Sequence, residues 1–312
     1  MKVLVEGGSR IHLGFYNIVN ESRIYGSVGL YLEAPKVVVS ASSEGDPSEE
    51  WRAISESICE IGSSVNVRIA SSPPKHVGLG STTQISMSAA MALRTLCRRK
   101  LSYKDLALIT GRGAVSGIGI HAFRYGGLIV DGGRRNTGVL LPPSSESDLP
   151  PLLQRLSFPR DWVVVLVIPS SGRKVSEEEE SFMLSPAPPH FDQVLLLRGL
   201  MQLTNGILNK DLLTFSNGVE TIQRMMGDYF EEYQGGKYSS NQTMASVEAL
   251  RFSGAKGVGQ SSWGPLAYGF ILEESKSRVE ENLRDYLRKE GVDAQILFTK
   301  ARNRGASVSV VV

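Results

Sequence analysis

Cysteine is nearly absent from this 312-residue chain, with Cys59 and Cys97 the only two. Neither stands in a C-x-x-C or Cys/His cluster, which argues against structural zinc and against a disulfide framework. A long apolar run is also missing. The longest, residues 162–168, falls far short of the roughly 20 residues a membrane span needs. The opening Met1-Lys2-Val3-Leu4-Val5-Glu6 has no signal-peptide apolar stretch, so the expectation is a soluble, cytoplasmic protein. Nor is there an excess of one charge: 34 basic against 32 acidic residues leave +2, which excludes a global basic field for nucleic acid. No internal repeat or low-complexity tract is present. With 41% hydrophobic and 21% charged residues, wholesale disorder is excluded as well.

What the chain does have is glycine, 32 residues or one in ten, against a usual share of about 7%. Several backbone sites that need glycine are therefore expected. The charge is also uneven: residues 1–157 carry 17 basic and 13 acidic side chains, residues 158–312 carry 17 and 19. Arginine outnumbers lysine 22 to 12, which favours planar recognition of phosphate or carboxylate. A basic first half suits an anionic small molecule; compositional bias is the plainer reading.

Periodicity predicts strands over 2–6, 10–15, 27–42, 65–69, 126–133, 162–168, 266–272, 293–298 and 307–312. It predicts helices over 49–61, 82–99, 102–110, 190–209, 211–232 and 275–289. The Pro- and Ser-rich stretch 142–151 is the clearest linker. The fold class is α+β in two domains, 1–150 and 151–312.

Three glycine clusters carry the chemistry. The first, Pro73-Pro74-Lys75-His76-Val77-Gly78-Leu79-Gly80-Ser81-Thr82-Thr83-Gln84, runs from a strand into a helix. Glycine lets backbone wrap an anion, and the first helical turn offers unpaired N–H groups at the positive end of its dipole. Ser81, Thr82 and Thr83 add hydroxyls, and Lys75 or His76 a cation. This is a phosphate or diphosphate cradle, though not a Walker A loop. The second cluster, 111–124, contains Arg112, Ser116, Gly117 and Arg124; a helix precedes it, so the dinucleotide reading fails its context. The third, 254–265, gathers Gln260, Ser261, Ser262 and Trp263 and is expected to line a cleft facing the first loop, or else to be a long turn.

In this order the clusters resemble the GHMP kinase superfamily, whose phosphate loop P-x-x-x-G-L-G-S-S is closely matched by residues 74–82. The resemblance implies a ribosomal-protein-S5-like N-terminal domain with a left-handed β-α-β unit, then a ferredoxin-like C-terminal domain. One departure matters. The second cluster of typical members reads S-G-x-D, and its Asp helps activate the substrate hydroxyl; here it reads Ser116-Gly117-Ile118-Gly119. In detail the chain is similar to one archaeal branch, the β-ribofuranosylaminobenzene 5′-phosphate synthases. The similarity runs through Ser9-Arg10-Ile11-His12-Leu13-Gly14, Gly78-Leu79-Gly80-Ser81 with Thr83-Gln84, Ser116 to Ile120, Gly127 to Gly132, and Gly259 to Pro265. Tyr16-Asn17 is atypical, which puts a metal role at that turn in doubt. Leu128-Ile129-Val130-Asp131 with Thr137-Gly138 is also similar to the phosphoribosyl-diphosphate motif of common phosphoribosyltransferases, but Gly132 stands where that motif has a second acid.

The resemblance implies transfer of a ribosyl group from phosphoribosyl diphosphate to 4-aminobenzoate or 4-hydroxybenzoate, with loss of CO₂ and diphosphate, in methanopterin-type cofactor biosynthesis. It implies Mg²⁺ and a homodimer; the charge balance and the short apolar runs already argue against nucleic-acid and membrane partners. Lys75, Arg10, Arg112 and Asp131 are the candidate catalytic residues, Asp131 toward Mg²⁺ or a ribose hydroxyl. Gly78, Gly80, Ser81, Thr82, Thr83, Gln84, Ser116, Gly117, His12, Gln260, Ser261, Ser262 and Trp263 are the candidate binding residues. Arg10, Arg112 or Arg124 would hold the benzoate carboxylate or the 5′-phosphate. Glu177–Glu180 reads as a solvated charge run and Met225-Met226 as helix packing. The alternatives are an ATP-dependent small-molecule kinase, which needs another carboxylate to replace the missing Asp, and a non-catalytic binding module.

Overall fold

The computed structural model describes residues 1–18, 22–45, 48–59, 65–172, 179, 184 and 192–311. The Glu177–Glu180 run, Glu179 apart, lies outside the described residues.

The chain opens with two long strands, β1 (Lys2–Asn17) and β3 (Gly26–Ser42), which pair antiparallel. The predicted break at Gly7-Gly8-Ser9 is a shift of register within one strand: a Cβ on Gly8 would lie 1.9 Å from the Leu32 carbonyl oxygen, so only glycine lets the ladder continue there. Strands β4 (Asn66–Ser71), β5 (Leu128–Asp131), β7 (Leu152–Leu156) and β12 (Ser307–Val311) complete a six-stranded sheet in the order β12-β1-β3-β5-β7, with β4 also on β3. A short ribbon joins β2 (Arg23–Ile24) to β6 (Arg134–Arg135). The second sheet has the order β11-β8-β10-β9, from β8 (Trp162–Pro169), β9 (Lys256–Gln260), β10 (Ala267–Leu272) and β11 (Ala294–Thr299). With helices after β8 and after β10, this is the β-α-β-β-α-β pattern of ferredoxin-like domains.

The first sheet does not stop at residue 150. β7 follows the Pro/Ser stretch and pairs with β5, and the last strand of the chain returns to β1. The stretch 142–151 is itself built in, with the Pro150 carbonyl accepting from the His121 ring and the Pro151 carbonyl from Gly132 N–H.

One face of the first sheet buries Val3, Val5, Val37 and Val39 against α2 (Ser81–Leu96). α1 (Arg52–Ile58), α3 (Tyr103–Ile109) and α4 (Ile118–Tyr125) flank α2. The other face buries Ile11, Leu13, Val28 and Leu30 with α5 (Gln193–Leu208) and α6 (Leu212–Gln234), together with Trp162, Val164 and Leu166 of β8. The alternate residues Val163, Val165 and Val167 pack on α7 (Asn241–Ser253) and α8 (Lys276–Lys289). β8 is apolar throughout because both its faces are covered.

Two helices lay outside the sequence reading. α4 falls in the second glycine cluster. α7 has little amphipathic pattern and is marked only by its Ser240 cap, which accepts from Thr243 N–H, and by Gly254 at its end. The cysteines are a correction: no disulfide was expected, yet Cys59 and Cys97 are bonded to each other, 38 residues apart. Their spacing carries no motif, and the pair forms because the end of α1 packs beside the end of α2.

Candidate active site

Three glycine-bearing segments surround one cavity of about 570 Å³: loop 76–83, the 111–116 turn between α3 and α4, and residues 260–264 after β9. β1 adds Arg10, His12 and Phe15. α6 adds Gln223, Met226, Gly227, Phe230 and Gln234, which recur at helical spacing and so share one face.

The first loop is tied to the third segment by close backbone approach. Gly78 has φ +100°, and a Cβ on it would lie 2.5 Å from the Ser261 carbonyl oxygen. Ser261 Oγ donates to the Gly78 carbonyl (2.6 Å) and accepts from His12 N–H (3.0 Å). Leu266 N–H reaches the Val77 carbonyl at 3.2 Å and Arg10 N–H the Leu79 carbonyl at 3.0 Å. Gly80, left-handed at φ 66°, then starts α2. The predicted cradle is therefore held from both sides before any ligand arrives.

Arg10 lies against this loop. Its Nη1 donates to the Gly78 carbonyl (3.1 Å) and approaches Ser262 Oγ (3.5 Å), and a Cβ on Gly80 would meet the Arg10 side chain at 2.7 Å. His12 is buried on the same strand, 4.9 Å from the Phe15 ring. Burial, and then the Arg10 charge, pull its imidazole pKa down to about 3, so the ring is neutral near pH 7. Phe15, Phe230 and Trp263 form an aromatic wall, with ring centroids 6.3 Å, 6.5 Å and 5.0 Å apart in pairs.

Of the predicted residues, Arg10, His12, Gly78, Gly80, Ser81, Thr82, Thr83, Arg112, Ser116, Gln260, Ser262 and Trp263 line the cavity. Six others do not, and each has a structural reason. Lys75 is exposed outside it; the chain turns at His76, which has φ +59°, so that His76 lines the cavity in its place. Gln84 is buried and donates to the Gly119 carbonyl at 2.9 Å. Ser261 is the tie just described. Gly117 and Asp131 are bonded to each other behind the wall. Asp131 is fully buried and accepts from the backbone N–H groups of Gly117 (2.7 Å), Gly133 (2.8 Å) and Ser27 (3.2 Å). Its oxygens are engaged by backbone amides and it does not line the cavity. Arg124 is likewise outside, stacked on the Tyr125 ring at 5.5 Å.

Sequence reading missed the α6 face and Phe15. Met226, read as packing, lines the cavity; its signal was the mixture of Gln223 and Gln234 into an otherwise apolar stripe. Among the described residues no Asp or Glu lines the cavity, and no group of three His, Cys, Asp or Glu side chains is placed to hold a metal.

Residues 50–127 match the model of the GHMP kinase N-terminal domain. The chain is 32% identical to the beta-ribofuranosylphenol 5′-phosphate synthase of Archaeoglobus fulgidus, over 97% of this chain and 98% of that protein. It is 30% identical to the enzyme of the same name from Methanothermobacter thermautotrophicus, over 98% of each. The chain belongs to the β-ribofuranosylphenol 5′-phosphate synthase family. It is an enzyme of the pentosyltransferase type on a GHMP-kinase fold. Solved structures share the fold at low identity: mevalonate diphosphate decarboxylase from Enterococcus faecalis (TM-score 0.68, 15% identity, covering 100% of this chain and 99% of that one) and homoserine kinase from Cytophaga hutchinsonii (TM-score 0.65, 14% identity, 99% and 97%).

Gly119, which stands in this chain where the kinase resemblance would place an aspartate, is closely packed. Gly119 lies in the first turn of α4, against the first turn of α2, and a Cβ there would stand 2.7 Å from Thr83 Cγ2 and 3.2 Å from Thr83 Cβ. A side chain at 119 therefore fits only if Thr83 rotates or shifts.

Proposed function

We propose that this enzyme joins phosphoribosyl diphosphate to 4-hydroxybenzoate, releasing CO₂ and diphosphate, in a methanopterin-type pathway. The carrying observation is the cavity's composition: a phosphate loop with Arg10 upon it, an aromatic wall, and no lining carboxylate among the described residues. The phenol in the relatives' names favours the hydroxy acid over the amino acid.

The reaction needs no base. The ring carbon bearing the carboxylate forms a bond to ribosyl C1 as the C1–O bond breaks and its electron pair leaves with diphosphate. The para hydroxyl feeds electrons into the ring. Loss of CO₂ then returns the C–C bonding pair to the ring and restores aromaticity, so no proton is removed from carbon. The chain's task is electrostatic. Arg10, the N–H groups at the start of α2 and the hydroxyls of Ser81, Thr82 and Thr83 stabilise charge growing on the departing diphosphate. Neutral His12 is a hydrogen-bonding group beside Arg10 and competes for no negative charge. Phe15, Phe230 and Trp263 sandwich the aryl acceptor and exclude water.

The residues do not fit Mg²⁺ as a protein-held ion, since the described lining offers it no carboxylate. A Mg²⁺ would be carried by the diphosphate oxygens. A kinase on this cavity finds no carboxylate base for its substrate hydroxyl among the described lining residues.

The test is incubation with phosphoribosyl diphosphate, Mg²⁺ and each benzoate, following CO₂, diphosphate and the aryl riboside together. Equimolar release that requires 4-hydroxybenzoate is expected. ATP turnover stimulated by a small alcohol, without aryl riboside, would overturn the reading.

A further inference from the structure

We propose that Arg134 and Arg135 form a separate subsite for the phosphate monoester on C5 of the ribosyl donor, in a recess beside the main cavity. The proposal rests on the donor named above. Of the three arginines beside the glycine clusters, Arg10 and Arg112 line the main cavity and Arg124 lies outside it, and none lines the recess.

The recess has a volume of about 110 Å³ and shares Ala114, Leu141 and Pro142 with the main cavity, so a ligand in one borders the other. Arg134 lines it and is only 5% exposed. Among the described residues its charge has no carboxylate partner. Nη1 donates to the carbonyls of Arg135 (3.2 Å) and Val139 (3.3 Å), Nη2 to that of Leu184 (3.0 Å), and the guanidinium lies over the Tyr25 ring at 5.5 Å. A guanidinium has five N–H donors. Three are used, and Nε is buried with no partner. An unpaired buried cation is costly, and an arriving anion removes that cost. A fork of guanidinium donors also matches a phosphate better than a point charge does.

Arg135 lines the recess beside it and meets Asp148 at 3.7 Å. That carboxylate also borders the recess, but its Oδ2 is engaged by the N–H and hydroxyl groups of Ser144 and Ser145. Asp148 is thus compensated without Arg135, and the net charge of the recess is positive. Thr137, also on its wall, adds a hydroxyl. Two anion sites bordering one cavity suit a sugar with phosphoryl groups at both ends.

The experiment is calorimetric titration of the full chain with three probes: inorganic diphosphate, ribose 5-phosphate and phosphoribosyl diphosphate. The variants are Arg134→Met, Arg134→Lys, Arg135→Gln and Arg10→Gln. Arg134→Met and Arg135→Gln are expected to weaken ribose 5-phosphate about tenfold or more and to leave inorganic diphosphate within twofold. Arg10→Gln is expected to do the reverse. If Arg134→Met fails to fold, Arg134→Lys, which keeps the charge without the fork, and Arg135→Gln carry the same test. Ribose 5-phosphate affinity unchanged in Arg135→Gln and Arg134→Lys, with product still formed, overturns the subsite and leaves the reaction standing. Ribose 5-phosphate binding that depends on both arginines, in a protein that makes no aryl riboside, supports the subsite and fails the reaction.

Discussion

Asp131 Oδ2 accepts from Gly117 N–H at 2.7 Å, so a carboxylate that lies wholly outside the cavity fixes the turn whose preceding residue, Ser116, lines it. With Gly133 and Ser27 on Oδ1, one side chain pins the start of α4, the end of β5 and the start of β3. Asp131→Asn places an amide N–H where one of these donors now points. A loss of about 1–3 kcal/mol is expected, measured by denaturant unfolding.

The same residue gives a pH signature. Burial, outweighing the backbone donors, pushes the Asp131 carboxyl from 3.8 up to about 7. The folded state therefore holds this proton more tightly than the unfolded state does. The stability it contributes is full below about pH 4 and is lost as pH rises toward and through 7. Melting temperatures of wild type and Asp131→Asn, compared from pH 4 to 8, are expected to show this decline in the wild type alone. Parallel curves would refute it.

His12 has the opposite sign for stability. Its pKa is pulled from 6.5 to about 3 by burial and by Arg10. Its contribution is present above about pH 6.5 and is lost as pH falls from there toward 3, because the unfolded state takes up a proton that the folded state refuses. In the free enzyme the His12 ring resonances, assigned by their loss in His12→Gln, are expected to stay flat between pH 5 and 8. A midpoint near 6.5 in that range would show that the ring is not buried beside Arg10.

Much of this site was legible because its chemistry is local. The Gly78–Thr83 segment and the Arg10–His12 pair are each read from residues that adjoin in sequence, whereas the facing of the third cluster to the first loop, held open there against a long turn, is decided by the Ser261–Gly78 contact 183 residues apart. What was not legible depends on separations that sequence does not display. Asp131 reads as catalytic because it ends a strand, and only the packing of α4 over β5 shows it spent on backbone amides. The Phe230 and Gln234 face looks like any helix stripe until α6 is laid along β1. Lys75 and His76 adjoin in sequence, and the left-handed turn at His76 decides which of them lines the cavity. The Cys59–Cys97 bond needs two helix ends to meet.

Gly119 separates the packing account of the missing aspartate from a catalytic one. Gly119→Ala puts a methyl 2.7 Å from Thr83 Cγ2, an overpacking expected to cost about 1–3 kcal/mol. It should also disturb the phosphate loop through Thr83. Gly119→Asp is expected to lose ribosyl transfer without gaining phosphorylation of any small alcohol, since the aspartate displaces a loop hydroxyl. ATP-dependent phosphoryl transfer by Gly119→Asp would show that the site is a kinase lacking only its base.

Reduction of the Cys59–Cys97 bond gives the last prediction. The bond joins residues 38 apart, and closing a loop of that length in the unfolded chain is worth about 4 kcal/mol in the chain-entropy description. Cys59→Ser with Cys97→Ser is expected to lower unfolding stability by about that amount in non-reducing buffer. The wild type should fall to the variant's level when a thiol reductant is added. Neither cysteine touches the cavity, so ribosyl transfer by the folded variant at moderate temperature should be unchanged. Identical unfolding of wild type with and without reductant would mean that the thiols are not joined in solution, and the junction of α1 with α2 would then rest on apolar packing such as that of Trp51, Ile58 and Leu93.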